Sequence, residues 1–223
     1  MSIESDFLKF LEFVPYHESN LDMYSPKLTG LLLQIGGYVD SAFKEIASYY
    51  TFTDMRICKR SGRSIEEKKK KKPIEDVLDA CCILESIYNL SSNNNGELIA
   101  KLDFGDKRLY PFKSFATTES PDWWSDYNDV KHEYSLHFKK ASITNVLEGL
   151  AGAFLLNTVH YPSMKLLWQL GHLSVGLEAA RGFRDIFLSE KEFEGYMQNA
   201  ILTLKPLNLG IRTETALFLY VHE

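Results

Sequence analysis

The stretch SPKLTGLLLQIGGYVDSAFKEIASYY, residues 25–50, decides the fold class. Ser25 is a residue type that caps helices, and Pro26 follows at the first helical position, where its missing N–H costs nothing. From there Leu28, Leu31, Leu32, Ile35, Val39, Ala42, Phe43, Ile46 and Tyr50 recur at i, i+3, i+4 spacing. A stripe of that period over roughly six turns is an amphipathic helix and nothing else. Gly36 and Gly37 interrupt it, each costing about 1 kcal/mol of helix propensity, so a close helix contact or a kink is expected there.

Working outward, residues 1–14 read as a short helix with Phe7, Leu8, Phe10, Leu11 and Val14 apolar, stopped by Pro15. Pro73 opens a further helix carrying Ile74, Val77, Leu78, Cys81, Cys82, Leu84 and Ile87, and the polar run Ser91–Gly96 ends it. Residues 97–113 alternate apolar and polar side chains about a Gly105-Asp106 turn, the pattern of a small β-hairpin. A short helix past Pro121 to His132 and a strongly apolar one over 142–159 follow. The last sixty or so residues read as mixed α/β: an apolar segment at 164–170, a capping-box pattern at Ser189 and Glu192, and a strand at 216–221. The expectation is a mainly α protein: a helical bundle over 1–160 with a basic loop at 56–72 and a hairpin insertion at 97–113, and a C-terminal α/β extension over 161–223 packed on it.

The 223 residues, 45% hydrophobic and 25% charged, lie within the globular range, which excludes collagen-like and wholly disordered chains. Charged residues break every apolar run in the first thirty residues, so no secretion signal is read there. The longest nearly uncharged stretch, 143–161, still holds Asn145, Glu148, Asn157 and His160, which argues against a membrane span. The 3 cysteines make neither a disulfide framework nor a zinc pattern, so a cytoplasmic location and no metal are expected. Phosphate-binding loops, dinucleotide fingerprints, zincin helices and nucleophile elbows are all missing from the sequence, and no cofactor is expected.

Net charge is −5, unevenly spread. From Arg56 to Lys72 a dense basic run, including Lys59, Arg60, Arg63, Lys68, Lys69 and Lys70, faces only Glu66 and Glu67. Such a run neutralises phosphates and is a candidate nucleic-acid contact. The competing reading is a solvated loop between helices, favoured because no aromatic side chain interleaves the lysines to stack on bases.

The segment PDWWSDYNDVKHEY, residues 121–134, carries the most chemistry. On a helix, Trp124, Asn128, Lys131 and His132 share one face at i, i+4, i+7 and i+8. An amide, a cation and an imidazole that titrates near neutrality are suited to holding a phosphate or moving a proton. The competing reading is structural, with the tryptophans anchoring the core, Asn128 tying down a turn and His132 bonding to backbone.

The Tyr24-Ser25-Pro26 helix start, the hairpin leading to Pro111-Phe112, the PDWWSDYNDVKH segment and the small-residue helix of 141–156 together resemble uncharacterised bacterial proteins related to the HEPN superfamily. The resemblance covers roughly residues 16–156. It implies a helical bundle, frequently dimeric, and RNA as partner. It also implies a place in toxin–antitoxin, abortive-infection or phage-defence systems, where many members are metal-independent ribonucleases and others only bind nucleic acid or nucleotides. The catalytic signature of that superfamily sets an arginine a short distance before a histidine. The matching positions before His132 hold Ser125, Asp126 and Tyr127, and those before His137 hold Val130, Lys131 and His132. Lys131 keeps the charge without the planar fork that grips phosphate bidentately. For cleavage the expected roles are His132 as general acid or base, Lys131 as electrostatic stabiliser and Asn128 as orienting group. The alternatives are a non-catalytic interaction protein, a sensor or neutralising subunit with a protein partner, and a small-nucleotide binder.

Overall fold

The computed structural model describes residues 3–49, 85, 91, 99–102, 108–117, 119–159, 173–177, 184–185, 210–213 and 218–221. The basic run with Lys59, Arg60, Arg63, Lys68, Lys69 and Lys70, nearly all of the helix expected after Pro73, the 164–170 segment and the capping box at Ser189 lie outside the described residues.

The described residues are mainly helical, with α1 at Ile3–Leu11, α2 at Pro26–Tyr49, α3 at Asp122–His132, α4 at Tyr134–His137 and α5 at Ile143–Val159. Short 3-10 turns lie at Glu18–Asn20, Lys113–Thr117 and Phe138–Lys140. The two long helices begin by the same device. Ser25 Oγ accepts from the Leu28 N–H at 3.2 Å, and Ser142 Oγ accepts from the Asn145 N–H at 3.3 Å, so each start satisfies one otherwise orphaned donor.

The apolar stripe of α2 becomes the centre of the core. Leu28, Leu31, Leu32, Ile35, Val39, Phe43 and Ile46 are all buried, and burying each such side chain is worth about 1.5–3 kcal/mol. α1 covers one end of this stripe with the buried Phe7. α5 packs along α2, and the two starts are stapled together: Ile143 N–H donates to Met23 O at 3.0 Å, Thr144 N–H to Leu21 O at 3.1 Å, and Tyr24 bridges Ser142. Further along, Ile35 meets Gly149 and the Tyr38 hydroxyl donates to Asn157. These contacts advance in the same sense on both helices, so α2 and α5 run in parallel. α3 runs against α5, with Trp123 at Gly149 and Gly152, and Asp126 at Asn145.

Glycines set how closely these helices approach. A Cβ on Gly36 would stand 2.3 Å from two Tyr127 ring carbons, whereas one on Gly37 would meet nothing within 4 Å. The interruption in α2 is therefore a close contact with α3. Aromatic rings fill the space beyond it: Phe112 stacks on Phe115 at 5.1 Å, Phe43 meets Trp124 edge-on at 6.3 Å, and Trp124 meets Trp123 edge-on at 5.6 Å. The buried indole N–H of Trp123 donates to Pro111 O at 2.9 Å, so this ring enters the core without an unpaired donor.

Among the described residues, two small antiparallel sheets accompany the helices. β1 (Ile99–Leu102) lies between β2 (Arg108–Leu109) and β6 (Phe218–Val221), with Ala100 opposite Leu109 and Tyr220. β3 (Leu173–Leu177) lies between β4 (Arg184–Asp185) and β5 (Gly210–Thr213). The pairing of β6 with β1 joins the last of the described strands to the segment just before the α3 region.

Candidate functional site

The polar groups of the PDWWSDYNDVKH segment are set out by α3. Pro121 precedes its first turn, and Pro121 O accepts from Trp124 N–H at 3.0 Å and Ser125 N–H at 2.9 Å. Asp122 sits in the first turn and Lys131 and His132 in the last, each sign where the helix dipole favours it. Trp123, Trp124, Tyr127 and Val130 face inward and are buried, which leaves the other side of the helix to the polar residues.

The face that the sequence grouped together does not share one environment. Trp124 belongs to the core. The half-buried Asn128 amide donates to the carbonyl of Trp124 at 3.0 Å, one turn back on its own helix. That bond commits one of its N–H groups to backbone. Lys131 and His132 are exposed, and the Lys131 ammonium lies 5.4 Å from the centre of the Tyr127 ring, within cation–π range.

Beyond His132 the chain turns sharply. The Glu133 N–H closes α3 on Asp129 O at 2.9 Å, and the His137 N–H bonds to Glu133 O at 3.1 Å to form the short α4. This corner carries Lys140 back beneath α3. Its ammonium lies 2.8 Å from Asp126 Oδ1 and 2.6 Å from Asp129 Oδ2. Asn145 completes the group, its amide donating to Asp126 Oδ2 at 2.7 Å and to Lys140 O at 2.8 Å. The bond from Lys140 holds the Asp129 carboxyl below its ordinary value, and the charge of Lys140 and the nearby imidazoles of His137 and His132 act in the same direction. The two carboxylates in turn raise Lys140 above the ordinary lysine value. Lys140 is thus a tie between α3 and the start of α5, and its charge is already spent.

The same corner gathers exposed rings. Phe138 meets Tyr24 edge-on at 5.4 Å and Tyr134 at 6.2 Å, and the Lys139 ammonium lies 5.9 Å from the centre of the Tyr24 ring. Tyr24 is 42% exposed, Tyr134 49% and Leu136 71%. The sequence reading passed over this feature, although Lys131-His132-Glu133-Tyr134-Ser135-Leu136-His137-Phe138-Lys139-Lys140 interleaves bases and rings throughout. That interleaving, missing from the basic run at 56–72, was the available signal.

Among the described residues no group of three or more His, Cys, Asp or Glu is placed to hold a metal ion, and no helix is long and apolar enough to cross a membrane. Compared with protein-family models, with curated proteins and with solved structures, the chain matches none of them.

Proposed function

We propose that the protein is an HEPN-like RNA-binding protein that uses the surface at the C-terminal end of α3. The observation that carries this reading is the joint exposure of Lys131 and His132 in the last turn of α3, with His137 in the next turn and Asp129 as the nearby counter-charge. A cation and an imidazole open to solvent on a rigid helix end are suited to a phosphodiester. In the catalytic form of the proposal, His132 accepts the proton of an RNA 2′-hydroxyl as its oxygen attacks the adjacent phosphorus. Lys131 balances the charge that builds on the phosphate oxygens, and as the P–O5′ bond breaks the departing 5′-oxygen takes up a proton from solvent water.

A second reading is favoured by the Asn128 bond to Trp124 O. An amide held by its own helix cannot direct that N–H to a substrate, and the arginine of the catalytic signature is missing from this chain. Both points suit a non-catalytic member, one that binds RNA or a protein partner without cutting. Incubating a mixed RNA pool with wild type, His132→Ala and Lys131→Ala in EDTA separates the two, with melting temperatures recorded for each protein. Metal-independent cleavage that falls about 10²- to 10⁴-fold in a folded His132→Ala variant supports catalysis. Binding without cleavage supports the second reading. Absence of both from the folded wild type overturns the RNA proposal.

A further inference from the structure

We infer that Tyr24, Tyr134 and Lys139, arranged around Phe138, form a stacking platform for the unpaired bases of single-stranded RNA. This rests on the RNA-binding reading above and specifies which part of the RNA the surface holds.

Phe138 is half-buried and touches both tyrosines, while each tyrosine keeps nearly half of its surface in water. The platform is held from behind by two independent ties. The Tyr24–Ser142 bridge fixes the segment before α2 against the start of α5, and the ion-paired Lys140 anchors the turn that carries Phe138 and Lys139. The rings are thus presented by ordered backbone, which lowers the entropic cost of stacking a base on them.

The cations distinguish this surface from an ordinary protein-docking patch. Lysine is depleted at the centre of protein interfaces. Here Lys139 lies against the Tyr24 ring, and the exposed Lys131 lies on the neighbouring end of α3. Aromatic faces flanked by ammonium groups are the combination that holds single strands, with rings taking bases and cations taking phosphates. A duplex keeps its bases stacked on one another and offers the rings nothing. Since Lys140 is committed to Asp126 and Asp129, Lys131 and Lys139 are the cations this surface brings to phosphates. Two contacts give a shallow salt dependence, a log–log slope of about −1.4 for a single strand.

The test is fluorescence anisotropy of the full chain with a labelled 2′-O-methyl RNA oligomer of mixed sequence, a probe that this cleavage chemistry cannot cut. Its duplex and a version with abasic sites are run in parallel. Expected are preference for the single strand over the duplex, about 10- to 100-fold weaker binding by Tyr24→Ala and by Tyr134→Ala, retention by the Tyr→Phe variants, and a comparable loss with the abasic probe. If wild type binds the probe and the Ala variants and abasic probe bind equally well, the platform is overturned while RNA binding stands. If wild type binds no RNA, both fall together and a protein partner becomes the occupant to seek. Should Tyr24→Ala lower the melting temperature, Tyr134→Ala and the abasic probe still decide, since the latter leaves the protein untouched.

Discussion

Adjacent glycines of α2 should respond in opposite directions to the same substitution. In Gly37→Ala the new methyl meets nothing within 4 Å, so the variant gains helix propensity of about 1 kcal/mol without a steric cost. In Gly36→Ala the same gain is offered, but the methyl would stand 2.3 Å from Cδ2 and Cε2 and 2.5 Å from Cγ of Tyr127. Cγ lies at the root of the ring, so a turn of the side chain's far end does not relieve the clash. Nor can the ring move freely, because Tyr127 is 3% exposed and packs 5.1 Å from Trp124. Forcing atoms into a packed core costs typically about 1–3 kcal/mol, and this contact belongs at the upper end of that range. The expected outcome is a net loss of about 2 kcal/mol for Gly36→Ala, a gain of up to about 1 for Gly37→Ala, and hence a gap near 3 kcal/mol between neighbours. At about 2–4 °C per kcal/mol for a chain of this size, the two melting temperatures should differ by about 6–12 °C. Urea midpoints of the three proteins, fitted with a common m-value, check it. A Gly36→Ala variant as stable as Gly37→Ala would refute the close approach of α2 and α3.

The tie at Lys140 makes a prediction in pH. Asp129 is depressed, so its contribution is present above the ordinary carboxylate value of 3.8 and is lost as pH falls through its lowered folded value. Lys140 is raised, so its contribution is complete below 10.5 and is lost only as pH climbs through a value higher still. Wild type should therefore be more stable than Lys140→Met across the range between, and the gap in urea midpoint should narrow as pH falls below 3.8 and Asp129 takes up its proton; a gap that does not narrow on acidification would contradict the ion-pair account. Replacing Trp123 by Phe removes the donor to Pro111 O and leaves a buried carbonyl unpaired, which should cost about 1–3 kcal/mol in urea unfolding; a neutral result would mean that this bond does not hold the ring.

Much of the helical frame is legible along the chain because its signals are local. Ser25-Pro26 and the stripe from Leu28 to Ile46 specify where α2 starts and which side faces inward, and the apolar run after Ser142 marks the extent of α5. The α3 segment is legible too, but the meaning of its residues is not. Asn128 looks available on a helical wheel, yet one of its amide N–H groups is taken by Trp124 O, a competition between side chain and backbone that depends on the rotamer. The conformation of residues 134–140 is not legible, because their apolar positions alternate, a pattern of strands, while the chain there folds into a four-residue helix and a 3-10 turn. Short helical turns have almost no intrinsic stability, so distant partners decide them.

By itself the sequence determined the helical character of the described residues, the start of α2, the inward face of that helix and the concentration of polar chemistry in the segment 121–134. Each of these follows from periodicity or from residues a few places apart. Only the tertiary structure decided that Gly36 receives Tyr127, that Lys140 is spent on Asp126 and Asp129, and that Tyr24 joins Tyr134 and Phe138 in one exposed surface. Tyr24 and Phe138 lie far apart along the chain, and no local propensity encodes such a meeting. It arises because burying the apolar faces of α2 and α5 against each other sets the starts of the two helices side by side.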